Sequence, residues 1–255
     1  MELNKIHNMN CLDGLKQMDD KTVDLTVTSP PYDDLRTYNG YTFDFENIAK
    51  ELYRVTKDGG VVVWIVGDKT KNGSETGTSF KQALYFKDLG FNLHDTMIWN
   101  KGSCLFPDKN RYYQSFEYMF IFTKGKISTF NLLKDRKNKW HGVKIHGTSR
   151  RKDGSLVESN GVKVGREVKE HGVRFNVWEI SPERKNRTGH PAVFPEQLAK
   201  DHILSWSNEG DVVMDIFMGS GTTAKMCKLT NRNFIGFEIS KEYCDIAEKR
   251  LNLLN

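Results

Sequence analysis

The sequence is poor in whatever could tie a chain together covalently or through a metal. Only 4 of its 255 residues are cysteine, at positions 11, 104, 227 and 244, and no two form a CxxC pair. That spacing argues against a disulfide framework or a zinc cluster and fits a reducing compartment. The 7 histidines include no HExxH pair. His141 and His146 share a polar stretch that suits solvent or a phosphate better than a metal. Long apolar runs are missing too, and none approaches the roughly 20 residues of a membrane span. Met1 to Lys5 carries no signal-peptide pattern. The expectation is a cytoplasmic protein with no metal site and no membrane segment.

Hydrophobic residues make up 38% of the chain and mean hydropathy is -0.59, ordinary values for a water-exposed globular protein. Charge is distributed less evenly. Between Lys124 and Thr188 there are 17 Lys/Arg against 7 Asp/Glu, whereas the whole chain has 38 against 33. One segment therefore carries the positive field, as a nucleic-acid partner requires.

Alternating Val23, Leu25 and Val27 predict a strand that Thr28-Ser29-Pro30-Pro31-Tyr32 ends, because proline donates no ladder hydrogen bond. A stiff loop at a strand's carboxyl end is where open α/β sheets bind ligands. The proline carbonyl is a fixed acceptor. Beside an aromatic ring, such acceptors suit a flat base with an exocyclic amino group. Strands are also predicted at 61–66, 97–99, 116–122, 211–215 and 233–237. Helices are predicted from Phe45 to a stop at Asp58-Gly59-Gly60, from Thr78 to Leu89, from Pro195-Glu196 and after Ser240. Helices separating buried strands predict an α/β fold with a mostly parallel sheet. Residues 33–41, polar and aromatic with no clear period, are expected to form a mobile loop over a site. The basic stretch is expected to insert over that site, partly disordered without its partner.

The turn at Gly219–Gly221 follows a strand and opens a helix. Its glycines let backbone approach a ligand, and a helix N-terminus favours a negative group. Glu238 ends the next strand, where a Rossmann-like unit binds ribose hydroxyls. Ala224 stands where a dinucleotide fingerprint needs its third glycine. A nucleoside with a carboxylate tail, such as S-adenosylmethionine, therefore fits better than NAD.

Taken together, Thr28-Ser29-Pro30-Pro31-Tyr32 early, the run from Asp215 to Thr223 late, and the basic insert between them resemble a DNA amino-methyltransferase of the beta arrangement, in which the catalytic half precedes the cofactor half. Met97-Ile98-Trp99-Asn100-Lys101, Phe116-Glu117-Tyr118 and Gly189 to Pro195 also resemble family blocks, so the likeness covers nearly the whole chain. It implies a Rossmann-like methyltransferase sheet with residues 1–123 as the catalytic half, 124–188 as the target-recognition region and 189–255 as the cofactor half. Ser29, Pro30, Pro31 and Tyr32 are then the catalytic residues. Asn10, Phe194, Asp215, Phe217, Gly219, Ser220, Gly221, Thr222, Thr223 and Glu238 would bind S-adenosylmethionine. Arg36, Tyr38, Lys137, Lys139, Arg150, Arg151 and Lys152 would contact double-stranded DNA. Two positions depart from the family. Ile216 replaces a proline, and Asn10 stands where an acid is common; altered affinity is expected, not loss of binding. The family also admits a homodimer and a companion restriction endonuclease.

The resemblance implies that the target base is flipped from the duplex. Serine before the two prolines leans toward cytosine N4, with adenine N6 the alternative. The chain has no Pro-Cys pair, which argues against methylation at cytosine C5. From another class, a DNA-binding module without catalysis would bind DNA in a salt-sensitive way and transfer nothing. An RNA or protein-amide methyltransferase is a third option, disfavoured by the late glycine loop and the long basic insert.

Overall fold

The structure, a computed structural model, describes residues 1–31, 43–103, 109–158, 164–182 and 195–254. Tyr32, Arg36, Tyr38 and Phe194 lie outside the described residues, as do the expected loop at 33–41 and most of the Gly189–Pro195 block. The chain divides into two compact units. The first comprises Met1–Asn131 and Asn176–Asn255, and the second Leu132–Phe175.

The first unit is an α/β sheet. Its chain order is β1 (Lys5–Asn8), α1 (Cys11–Lys16), β2 (Val23–Thr28), α2 (Phe45–Val55), β3 (Thr56–Val66), a small hairpin of β4 (Thr70–Lys71) and β5 (Ser74–Glu75), α3 (Thr78–Asp88), β6 (Asn92–Asn100) and β7 (Phe116–Thr123). The second unit follows with β8 (Arg136–Lys137), β9 (Thr148–Arg150), β10 (Leu156–Glu158) and β11 (His171–Gly172). The chain then returns to the sheet with β12 (Val177–Glu179), α4 (Glu196–Trp206), β13 (Val212–Asp215), α5 (Thr222–Leu229), β14 (Asn233–Glu238) and α6 (Lys241–Asn252). The eight-stranded order is β1-β14-β13-β2-β3-β7-β6-β12. Among the described strands of this sheet, only β7 runs antiparallel to its neighbours.

Strand alternation assigns the two faces. Val62, Trp64 and Val66 join one apolar cluster with Ile48, Ala49 and Leu52 of α2, Phe86 of α3 and Leu15 of α1. Val61, Val63 and Ile65 point the other way, toward the side on which α4, α5 and α6 pack against one another. Burial on both faces explains why β3 reads as one continuous apolar run. The switch in connectivity matters most for function. From β2 the chain passes through α2 to β3 on one side. From β13, the neighbour of β2, it passes through α5 to β14 on the other. The carboxyl ends of β2 and β13 therefore flank a topological switch point, where such sheets open a crevice.

Three expectations differ from what is found. The helix after Phe45 stops at Val55, not at Asp58-Gly59-Gly60. Thr56 caps it, and β3 begins at once, with Gly59 at φ +81 inside the strand. The β6 strand starts at Asn92, five residues before its apolar stretch, because its first half is an alternation of exposed and half-buried residues. Within the 124–188 stretch, Val177–Glu179 is an edge strand of the main sheet, parallel to β6, and Trp178 is buried there.

The second unit is an irregular antiparallel excursion. β8 pairs with β11, Lys144 bridges Glu167, and β9 pairs with β10 around a turn closed by Asp153, whose Oδ1 accepts from Ser155 N and Oγ. It holds 12 Lys/Arg against 5 Asp/Glu.

Phe86 is fully buried and rings with Phe45, Trp64, Phe91 and Phe122 surround it. Phe86→Ala should lower unfolding stability by about 3–5 kcal/mol through the cavity it leaves, read as a shift of the urea midpoint at unchanged slope.

Candidate active site

At the switch point one buried carboxylate joins the two motifs that the sequence places 187 residues apart. Asp215 ends β13 and is 1% exposed. Its Oδ1 accepts from Thr28 Oγ1 at 2.7 Å and from Phe217 N at 3.1 Å, and its Oδ2 accepts from Thr223 Oγ1 at 2.7 Å. Thr28 ends β2 directly before Ser29, and Thr223 lies in the first turn of α5. Asp215 thus braces the proline loop and the glycine turn from behind. Burial pushes its pKa up to about 6, against the pull of its three donors, and the charge of Glu238 adds to the rise.

The glycine turn is fixed in detail. Gly219 and Gly221 both take positive φ, +52 and +80. A side chain at Gly221 would also collide with Ala247 of α6, its Cβ lying 2.7 Å from that of Ala247. Gly219 N donates to Glu238 Oε2 at 2.8 Å, while Ser240 N donates to Glu238 Oε1 at 2.8 Å. Burial raises the pKa of Glu238 and these backbone donors oppose the shift. Gly221 is the N-cap of α5 and offers no side chain to its first-turn N–H groups. Phe217 is half-buried against the apolar cluster and meets Phe43 edge-on. Asn10 caps α1 through a 2.8 Å bond from Leu12 N, at the carboxyl end of β1 beside Glu238.

Of the proline loop, Ser29 and Pro31 are half-buried and Pro30 is buried. Further along the same sheet edge, Glu117 pairs with Lys101, whose ammonium sits 5.2 Å from the centre of the Trp99 ring. The sequence alone assigns Glu117 no partner. Sequence reasoning also misses Arg250 of α6, which donates to Ser220 O at 2.6 Å, Ser220 Oγ at 3.0 Å and Glu196 Oε1 at 2.9 Å. The only signal is that Arg250 falls three residues after Ala247, on the same helix face.

Residues 23–249 match the DNA methylase family of the N6/N4 type. The chain belongs to the DNA methylase family. An orphan methyltransferase, M.BamHII of Bacillus amyloliquefaciens, is 67% identical over 91% of this chain and 89% of its own. Among solved structures, the PvuII cytosine-N4-specific DNA methyltransferase shares the fold at a TM-score of 0.70 and 20% identity, covering 96% of this chain and 85% of its own. The M1.HpyAVI complex with S-adenosylmethionine has a TM-score of 0.64 at 23% identity, covering 97% and 99%. The chain is an S-adenosylmethionine-dependent DNA methyltransferase acting on amino groups.

The donor set of the methylase site fits that cofactor. The Glu238 carboxylate has about four acceptor sites and more than its backbone N–H donors fill, which leaves acceptor capacity for a diol. The α5 N-terminus has no side-chain cap and so favours a carboxylate. Among the described residues no three His, Cys, Asp or Glu gather as a metal site, and no helix is long and apolar enough to cross a membrane. Burial pushes Cys11 up to about 12 and Cys244 up to about 11, so neither is a thiolate near neutral pH.

In the second unit Lys137, Lys139, Arg150, Arg151 and Lys152 are all exposed. The Lys139 ammonium lies 5.6 Å from the centre of the exposed Trp140 ring, and Arg136 stacks 4.3 Å from that of Phe175.

The buried brace predicts a pH signature. Because the folded-state pKa of Asp215 is raised from 3.8 to about 6, its contribution stabilises at low pH and is lost as pH rises through about 6. Thr28→Val removes a donor to the ionised form. It should cost about 1–3 kcal/mol at pH 8 and less at pH 5, measured by urea unfolding at both values.

Proposed function

We propose that this methylase transfers a methyl group to N4 of cytosine in double-stranded DNA. The observation that carries the reading is Ser29 at the carboxyl end of β2, next to the Thr28–Asp215 bond that fixes it relative to the glycine turn. A hydroxyl there is a neutral acceptor. An aspartate or asparagine in its place would lean toward adenine N6. The name of the PvuII structure supports cytosine as well.

Duplex DNA buries the exocyclic amino group, so the base must leave the stack and enter the pocket. Ser29 Oγ and the Pro30 carbonyl would accept its two amino hydrogens. Those bonds draw the nitrogen toward tetrahedral geometry and release its lone pair from the ring. Tyr32, outside the described residues, would stack on the base. Glu238 would hold the ribose hydroxyls of S-adenosylmethionine, and the α5 N-terminus, through backbone N–H groups that include that of Thr223 and with the Ser220 and Thr222 hydroxyls, its carboxylate. The cofactor supplies a methyl group already activated on sulfonium. Positioning therefore matters more than a strong base. Asp215 acts at one remove, by bracing both loops.

The basic unit would supply phosphate contacts through Lys137, Lys139, Arg150, Arg151 and Lys152, and Arg36 and Tyr38, outside the described residues, would add to them. A double-stranded DNA substrate in a prokaryotic cell or a phage-infected host would have the enzyme act in the cytoplasm. The orphan methyltransferase among its relatives supports action without a companion endonuclease. A homodimer rests only on the family resemblance.

Incubation with labelled cofactor and mixed DNA, then mass spectrometry of the digest, should yield N4-methylcytosine. N6-methyladenine would move the target to adenine, and binding of DNA without transfer would leave a module without catalysis. Ser29→Ala should slow transfer by roughly ten- to thousand-fold with little change in cofactor affinity. Near-wild-type turnover would make the serine a structural hydroxyl. Replacing Lys137, Lys139, Arg150, Arg151 and Lys152 by glutamine should flatten the plot of log affinity against log salt by about 0.9 for each phosphate that the protein no longer neutralises.

A further inference from the structure

We propose that Arg250 is a positioning residue for the methyl-donor site, clamping the glycine turn to the start of α4. The inference rests on the cofactor reading above and adds to it a residue far from both sequence motifs.

The geometry starts from Gly221. Its missing side chain lets α6 approach directly, with Ala247 against the glycine Cα. Arg250 lies one turn further on the same face of α6. Its Nη1 donates to Ser220 O at 2.6 Å, to Ser220 Oγ at 3.0 Å and to Thr222 Oγ1 at 3.3 Å. The other end of the Ser220–Gly221 peptide is held as well, since Gly221 N donates to Met218 O at 3.0 Å. The peptide plane is thus pinned at both its carbonyl and its N–H. Its orientation decides where the Ser220 hydroxyl and the first N–H groups of α5 point.

The same guanidinium reaches a second element. Its Nη2 donates to Glu196 Oε1 at 2.9 Å, and Lys225 of α5 donates to that oxygen at 2.5 Å. Glu196 opens α4 two residues after Phe194, which the family resemblance assigns to the cofactor site. Burial works against the Glu196 charge, yet Lys225 and Arg250 hold its carboxyl below the usual range. One planar cation therefore links α6, the glycine turn and the entry to α4. A lysine cannot do this, because a single ammonium on a flexible stem does not present a rigid fork of donors. A plain surface ion pair would not explain the geometry. Three of the four acceptors are uncharged atoms of the turn, and the Arg250 side chain is only 16% exposed.

The test is calorimetric titration of S-adenosylmethionine into the full-length wild type, Arg250→Ala and Arg250→Lys, together with steady-state kinetics and duplex binding without cofactor. Arg250→Ala should weaken cofactor binding by roughly ten- to hundred-fold, the scale of losing hydrogen bonds from a charged donor. Arg250→Lys should weaken it by at least about fivefold although it keeps a cation beside Glu196. The loss should fall on KM for the cofactor more than on kcat, with duplex affinity unchanged. If Arg250→Ala does not fold, Arg250→Lys carries the measurement. Cofactor affinity of folded Arg250→Lys at the wild-type level would overturn the proposal. So would a parallel fall in kcat, duplex affinity and thermal stability, which marks a merely structural role. A wild type that binds duplex but no S-adenosylmethionine would overturn the cofactor reading itself, and the inference with it.

Discussion

The hydrogen bond from Thr28 to Asp215 is the constraint on which the rest of the site depends. It crosses the switch point between β2 and β13, two strands drawn from opposite ends of the chain. Without it, the proline loop and the glycine turn would be joined only by the short ladder between their strands. With it, and with the bonds from Phe217 N and Thr223, one carboxylate sets the end of β2, the turn and the first turn of α5 together. A methyl transfer that relies on alignment needs its base loop and its donor loop fixed relative to each other. A buried carboxylate with three donors provides this, since removing any donor leaves the charge less satisfied in a low-dielectric setting.

Such a device has an electrostatic cost. Burial opposes ionisation of Asp215 and Glu238, and the Glu238 charge adds to the rise at Asp215 only after burial has set it. Both are stabilised by donors rather than by a paired cation: hydroxyls and one backbone N–H for Asp215, backbone N–H groups for Glu238. Of the cations near the turn, Arg250 holds it directly through Ser220 O, Ser220 Oγ and Thr222 Oγ1. Arg250 and Lys225 meet at Glu196, on the α6 and α4 side. The glycine turn therefore lies between anionic groups that orient it and cations that hold it from outside; Gly219 N and Gly221 N are taken by Glu238 and Met218 O, and the uncapped first N–H groups of α5 remain for a carboxylate.

How much of this is legible in the sequence follows from range. β2, the late strand–turn–helix from Asp215 and the strand ending at Glu238 each announce themselves within about ten residues, through alternation, glycine or proline. Features made of distant or polar residues do not. Nothing local in Thr28 or Thr223 says that both hydroxyls reach one carboxylate. Trp178 sits in a three-residue edge strand reached only after the basic excursion, so composition assigns it to the insert. The first half of β6 is hidden because polar residues alternate on an exposed edge. Gly59 and Gly60 read as a helix stop, yet glycine also serves a strand where backbone must pass closely, and a side chain at Gly60 would meet Lys57 O at 2.9 Å. Arg250 is invisible because a cation in the last turn of a helix is ordinarily explained by the helix dipole.

The two units divide the physics as well as the chain. The excursion from Leu132 to Phe175 has 12 Lys/Arg against 5 Asp/Glu, while the remaining residues have 26 against 28. A sheet unit near neutrality does not compete for phosphate along its whole surface, so its attraction to DNA must come from elsewhere. In the proposed reading the excursion would supply the long-range, salt-dependent attraction, and since none of its described residues is buried, it suits a segment held by backbone pairing and cation–ring contacts more than by a core. Affinity and chemistry then rest on different forces. Counterion release governs the first and is tuned by ionic strength. Hydrogen bonds in a buried crevice govern the second and are hardly screened. On that proposal salt would act mainly on how often the base is delivered, and the geometry around Asp215 on what happens once it is there.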